Sequence, residues 1–140
     1  MNLFSLGWDA SFEAEFRPHA ASGLIPARIA VEHRSSYQVL GEEGSFAARC
    51  SGRFLHHISA RAAMPTVGDW VALENRPGAD QADIQAVLPR RSAFSRAAAG
   101  RPTSQQIIAA NIDTIFLVTG LDHNFNLRRI ERYLTVASDS

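Results

Sequence analysis

A chain of 140 residues accommodates one ordinary domain, or a small domain with part of another, but not two independent enzymes. With 46% hydrophobic and 20% charged residues it is globular rather than disordered, and no apolar run approaches the roughly 18 residues that suggest a membrane span. A formal charge of zero argues against an overall basic nucleic-acid binder, and a single cysteine, Cys50, excludes an internal disulfide framework. All fourteen basic residues are arginine, so a Walker A loop, which needs a lysine for the nucleotide phosphates, is excluded. The amino terminus has early acids and no basic region ahead of a long apolar one, so no signal peptide is read there and the cytoplasm is the expected location.

In chain order, Phe12 and Phe16 share one helical face and predict a short amphipathic helix that ends at Pro18. From Pro26 the period changes to two. In "ARIAVEHR", Ala27, Ile29 and Val31 alternate with polar or small residues, as in a half-buried strand. The turns "HRSS" and "GEEG" lead into "YQVL" and "SFAARC", completing an antiparallel meander. A longer irregular or helical insert, "SGRFLHHISARAAMPTV", precedes "GDWVALE", the loop "NRPGADQAD" and "IQAVLP". Five strands with an insert between the third and fourth predict a mainly β fold, a small Greek-key barrel of the OB type, with an SH3-like barrel as the alternative. Trp70 is expected in its core.

The segment "RRSAFSRAAAGRPTSQQ" reads as a linker or extended arm. Beyond it "TIFLVT" is continuously apolar, the signature of a strand buried on both faces of a parallel sheet. Asn124 or Asn126 then caps a helix whose Leu127, Ile130, Leu134 and Ala137 share one face. The expected divisions are an extension over 1–24, a barrel over 25–89, a basic linker over 90–111 and an incomplete α/β segment over 112–140.

Self-contained catalysis finds little support. His56, His57 and Cys50 lack the paired spacing of a zinc site, and there is no G-x-S-x-G elbow. The charge distribution says more. Between Ile84 and Ile112 there is no acidic residue, while Arg90, Arg91, Arg96 and Arg101 all fall there. Arginines around Phe94 can neutralise phosphates while the ring stacks on an unpaired base, although a solvated, arginine-biased linker has the same composition.

The motifs "LGWD", "IPARIAVEHRSSYQVL", "VGDWVALE", "AVLPRRSAFSR" and "AANIDTIFLVTGLDHNFNLRRIERYL" resemble, in this order, the small ribosomal subunit biogenesis GTPases of the RsgA family, over about residues 6–137. The resemblance implies an amino-terminal fragment of a longer protein. The full-length protein would carry an OB barrel, a circularly permuted GTPase domain binding GTP and Mg, and a domain with one structural zinc. It would be a cytoplasmic monomer, acting as a ribosome-dependent GTP hydrolase in late maturation of the small subunit. "TIFLVT" and the last helix resemble the entry strand and helix of the permuted domain. The NKxD, GKS, switch and zinc-ligand motifs are absent here, so no catalytic, nucleotide or metal residue carries over. This fragment is expected to be inactive by itself, to bind no cofactor, and to touch ribosomal RNA through residues among Arg28, Arg34, Arg53, Arg90, Arg91, Phe94, Arg96 and Arg101. It is also expected to self-associate through its last helix. The alternative is a small protein-interaction module without enzymatic activity.

Overall fold

The chain is described from a computed structural model for residues 2–58, 61–75, 78–97, 105–121, 123 and 125–140. Five strands close on themselves: β1 (Ile25–Glu32), β2 (Tyr37–Gly41), β3 (Gly44–Cys50), β4 (Trp70–Glu74) and β5 (Ala82–Val87). Their order around the barrel is β1-β2-β3-β5-β4, and β4 returns to pair with β1. All neighbours are antiparallel except β3 and β5, which run parallel. The parallel pair needs a long crossover, and the insert predicted between the third and fourth strands supplies it. It contains α2 (Gly52–His57), capped by Ser51, whose Oγ accepts from the Phe54 amide at 3.0 Å.

The barrel core consists of Ala27, Ile29, Val39, Ala48, Val71, Leu73 and Ile84, each essentially inaccessible to solvent. Val31, expected on the same face, is exposed. The β1–β2 register slips between Ile29 and Val31, and a bulge of this kind turns the strand end away from the interior.

A second apolar cluster lies outside the barrel. Helix α1 (Ala10–Ala20) places Phe12 and Phe16 against β4, joined by Leu3, Trp8, Trp70, Ala72 and Leu88. Trp8 and Trp70 meet edge to face with centroids 4.7 Å apart. Strand β4 is therefore buried on both faces, Val71 and Leu73 inward and Trp70 and Ala72 under α1. The expectation that Trp70 is core holds. Pro18 does not end α1, which continues to Ala20. Proline so near the helix end removes only one late amide, and the burial of Phe12 and Phe16 holds the preceding turns.

Past the barrel, two runs within the stretch expected as a linker are paired. Strands β6 (Ala93–Ala97) and β7 (Gln105–Ala110) form an antiparallel two-stranded sheet. The predicted strand "TIFLVT" does not form: residues 114–119 have no regular structure. Phe116 and Val118 are 87% and 89% exposed. A parallel strand exists only beside a neighbour that takes up its amides and carbonyls, and none of the described strands pairs with this run. The closing helix α3 (Leu127–Ser138) does form. Asn126 caps it, its Oδ1 accepting from the Arg129 amide at 3.1 Å, and none of its residues is buried. Asn124, the other proposed cap, lies outside the described residues.

Candidate nucleic-acid interface

The arginines named from the sequence divide into two groups once their guanidinium groups are located. The first group is engaged within the protein itself. Arg28 on β1 donates from Nε to the Gly68 carbonyl at 3.2 Å, from Nη2 to the Asn111 carbonyl at 2.7 Å and from Nη1 to the Leu6 carbonyl. Its guanidinium also lies 5.8 Å from the Trp70 ring centroid. Burial pushes its pKa below the ordinary arginine range, opposed by Asp113. Arginine titrates so high that the group stays charged.

Arg90 is held more tightly still. Its Nε and Nη2 grip both carboxylate oxygens of Asp69 at 2.7 and 2.6 Å, and it donates further to the carbonyls of Ala62 and Met64. Asp69 is fully buried and also accepts from the Thr66 amide at 2.9 Å. A desolvated carboxylate needs such a bidentate, hydrogen-bonded partner.

Arg91 stands between the groups. It donates to Asp9 at 2.6 Å and lies 4.1 Å from the Phe12 ring centroid, yet its side chain remains half exposed. Asp9 caps α1, and the Phe12 amide, together with the Ser11 amide and Arg91, holds its carboxyl below the usual range despite partial desolvation.

These interactions form a splice between the barrel and β6–β7. Asn111 adopts φ 54°, its Nδ2 donates to the Gly68 carbonyl at 3.1 Å, and its Oδ1 accepts from the Arg91 amide at 2.9 Å. Gly68, at φ +89°, lies so close to Ala110 that a Cβ there would come 2.0 Å from the Ala110 carbonyl oxygen. Glycine is required on both counts.

The second group, Arg34 and Arg53, faces solvent. Arg34, in the β1–β2 turn, and Arg53, on α2, are exposed and make no ion pair among the described residues. Phe94 is half-buried on β6. Arg96 lies on β6 with its backbone paired to Gln106; its side chain and the whole of Arg101 lie outside the described residues. Among the described residues, the predicted set therefore divides between arginines engaged within the protein and arginines exposed to solvent. Sequence reasoning also missed Arg49, which pairs with Asp83 across β3 and β5 at 3.0 Å. Only the parallel register brings these residues, 34 apart in sequence, side by side.

No three or more His, Cys, Asp or Glu among the described residues are grouped so as to hold a metal ion. With no zinc donor set among the described residues and no lysine in the chain for a phosphate loop, the described residues do not fit the zinc or the GTP that the resemblance implies for a longer protein.

A model of the RsgA GTPase family matches residues 87–140. A small ribosomal subunit biogenesis GTPase RsgA of Opitutus terrae is 53% identical over the whole of this chain. Along its whole length this chain is similar to members of the RsgA family. The RsgA of Syntrophotalea carbinolica is 39% identical, also over the whole chain, and the chain spans 40% of the length of each of these two relatives. RsgA 2 of Lactiplantibacillus plantarum is 41% identical over the same extent. Among solved structures, YloQ, a circularly permuted GTPase, superposes with a TM-score of 0.51 over 84% of this chain and 37% of its own, at 19% identity. At that identity the likeness concerns the fold.

Proposed function

We propose that this chain is the RNA-contacting, OB-type module of a ribosome-dependent GTPase that acts in late maturation of the small ribosomal subunit. The observation that carries this reading is identity along the whole chain to relatives named for small-subunit biogenesis. The closed five-stranded barrel with a helical crossover supports the OB assignment. GTP hydrolysis, with its Mg, and the structural zinc belong to the rest of the longer protein, and the fragment by itself turns over no GTP.

Within this chain the RNA contacts are assigned to the arginines that have guanidinium donors to spare, Arg34 and Arg53, with Arg96, Arg101 and Phe94 of the hairpin region. Arg28 and Arg90 contribute by holding the hairpin on the barrel. Arg91 does both, since its outer edge is open to solvent. The exposed apolar residues Phe116, Val118, Leu121, Leu127 and Leu134 are assigned to packing within the longer protein, which is monomeric, and the fragment alone self-associates through α3. The location is cytoplasmic, with the ribosomes.

The test is co-sedimentation of this chain with purified small and large ribosomal subunits. Binding to small subunits that weakens by at least about tenfold between 50 and 200 mM salt is expected, because phosphate contacts release counterions. Equal binding to both subunits, or no binding at 50 mM salt, contradicts the proposal.

A further inference from the structure

A cleft of about 1140 Å³ opens where the end of α1, the end of β3 and the first turn of α2 meet β5. Its floor is a run of side-chain hydrogen bonds. Ser51 Oγ donates to Gln85 Oε1 at 3.0 Å, and Gln85 Nε2 donates to Glu74 Oε2 at 2.7 Å. Asp83 lies beside them and engages Arg49 through Oδ1. The rim has the opposite character. Arg53 projects from α2 without an ion pair among the described residues, and His57 anchors its ring through Nδ1–H on the Arg53 carbonyl at 2.7 Å.

A ligand fitting this arrangement carries an anion at one end and hydrogen-bond donors at the other. Carboxylates accept from the exocyclic amines of cytosine, adenine and guanine, as Asp and Glu do from cytosine N4 in base readout. Uracil has no exocyclic amine and offers a carboxylate only its N3–H, flanked by two carbonyls. The Gln85 amide is oriented by its own partners on both sides, so it cannot turn freely to accommodate uracil. A base buried this deeply must be unstacked and unpaired, and the half-buried Phe54 supplies an aromatic wall.

We infer that this cleft seats one unpaired, amino-bearing RNA base, its carboxylate floor reading the base and Arg53 holding the adjoining phosphate. The inference rests on the RNA-binding reading above and assigns it a specific pocket and base preference.

Fluorescence anisotropy of the full 140-residue chain with labelled six-nucleotide RNAs tests it. Oligo-C and oligo-A are expected to bind at least about fivefold tighter than oligo-U, and a self-complementary duplex more weakly than oligo-C. Arg53→Ala should lower the slope of log K against log salt for oligo-C by about 0.7. Since Arg53 is exposed, folding should be unaffected, as a thermal melt would verify. Glu74→Gln retains an acceptor for Gln85 but removes the carboxylate, and should reduce the preference for C over U to less than about twofold. Equal binding of oligo-C and oligo-U, or an unchanged slope in Arg53→Ala, overturns the inference. If those results appear while small-subunit binding persists, only the pocket assignment fails; if subunit binding is absent too, both proposals fail.

Discussion

The barrel and the carboxyl-terminal stretch are both rich in apolar residues, yet they end in opposite states. In β4, Trp70, Val71, Ala72 and Leu73 are all fully buried, because the barrel lies on one side and α1 on the other. In the "TIFLVT" run, Phe116 and Val118 are almost fully exposed and no strand forms. The two segments have similar local character, and the difference lies in their neighbours. Apolar continuity signals that a segment will be covered on both faces but does not provide the cover. For β4 the cover is made by residues 3–16 of the same chain, whereas for 114–119 none of the described strands provides it.

That contrast predicts where truncation should matter. Trp70→Ala removes the group shared by the barrel and α1 and should cost about 3–5 kcal/mol in denaturant unfolding, while Phe116→Ala should stay within about 0.5 kcal/mol. Similar losses at both positions would erase the distinction. Asp69→Ala leaves Arg90 unpaired in a largely desolvated site and should cost about 3 kcal/mol or more, against almost nothing for Arg34→Ala. Gly68→Ala should cost about 1–3 kcal/mol through its left-handed backbone and the blocked approach to Ala110. Its signature is local: hydrogen exchange should accelerate at the Ala110 and Asn111 amides more than within β1 or β2.

The smallest effect concerns alkaline pH. Burial, with a contribution from Cys50, pushes the Tyr37 hydroxyl well above its ordinary value, and burial likewise raises the Cys50 thiol. The folded state keeps these protons after the unfolded chain has released them. Stability is therefore complete below about pH 8 and declines as pH rises through the unfolded values of about 8.5 for Cys and 10 for Tyr. Tyr37→Phe should flatten the fall in melting temperature between about pH 9 and 10.5. A fall as steep as in the parent chain would show that other groups carry it.

Much of the barrel is legible in the sequence because period-two alternation survives in β1, β2 and β3, and the turn residues between them are glycine or polar. Features that depend on distant partners are not legible. The bulge that turns Val31 outward is a matter of cross-strand register with β2. Pro18 gives a local stop signal that the burial of Phe12 and Phe16 overrides. The arginines are the most instructive case. Counting charge shows an acid-free stretch around Arg90, yet its counter-ion, Asp69, lies 21 residues earlier and fully buried. Arg28 looks like an outward strand residue and instead binds carbonyls from three separate segments. A basic stretch in a sequence thus cannot distinguish guanidinium groups offered to a phosphate from those already in use.

The division between engaged and available arginines is measured most directly by the salt dependence of small-subunit binding in two variants. Replacing Arg34 and Arg53 with alanine should leave the melting temperature nearly unchanged and reduce the slope of log K against log salt by up to about 1.4–1.8, or roughly 0.7–0.9 for each phosphate no longer neutralised. Replacing Arg90 alone should lower the melting temperature sharply and, at temperatures where the chain remains folded, leave the slope as it was. An unchanged slope in the double variant, or a shallower slope in a fully folded Arg90 variant, would contradict the account.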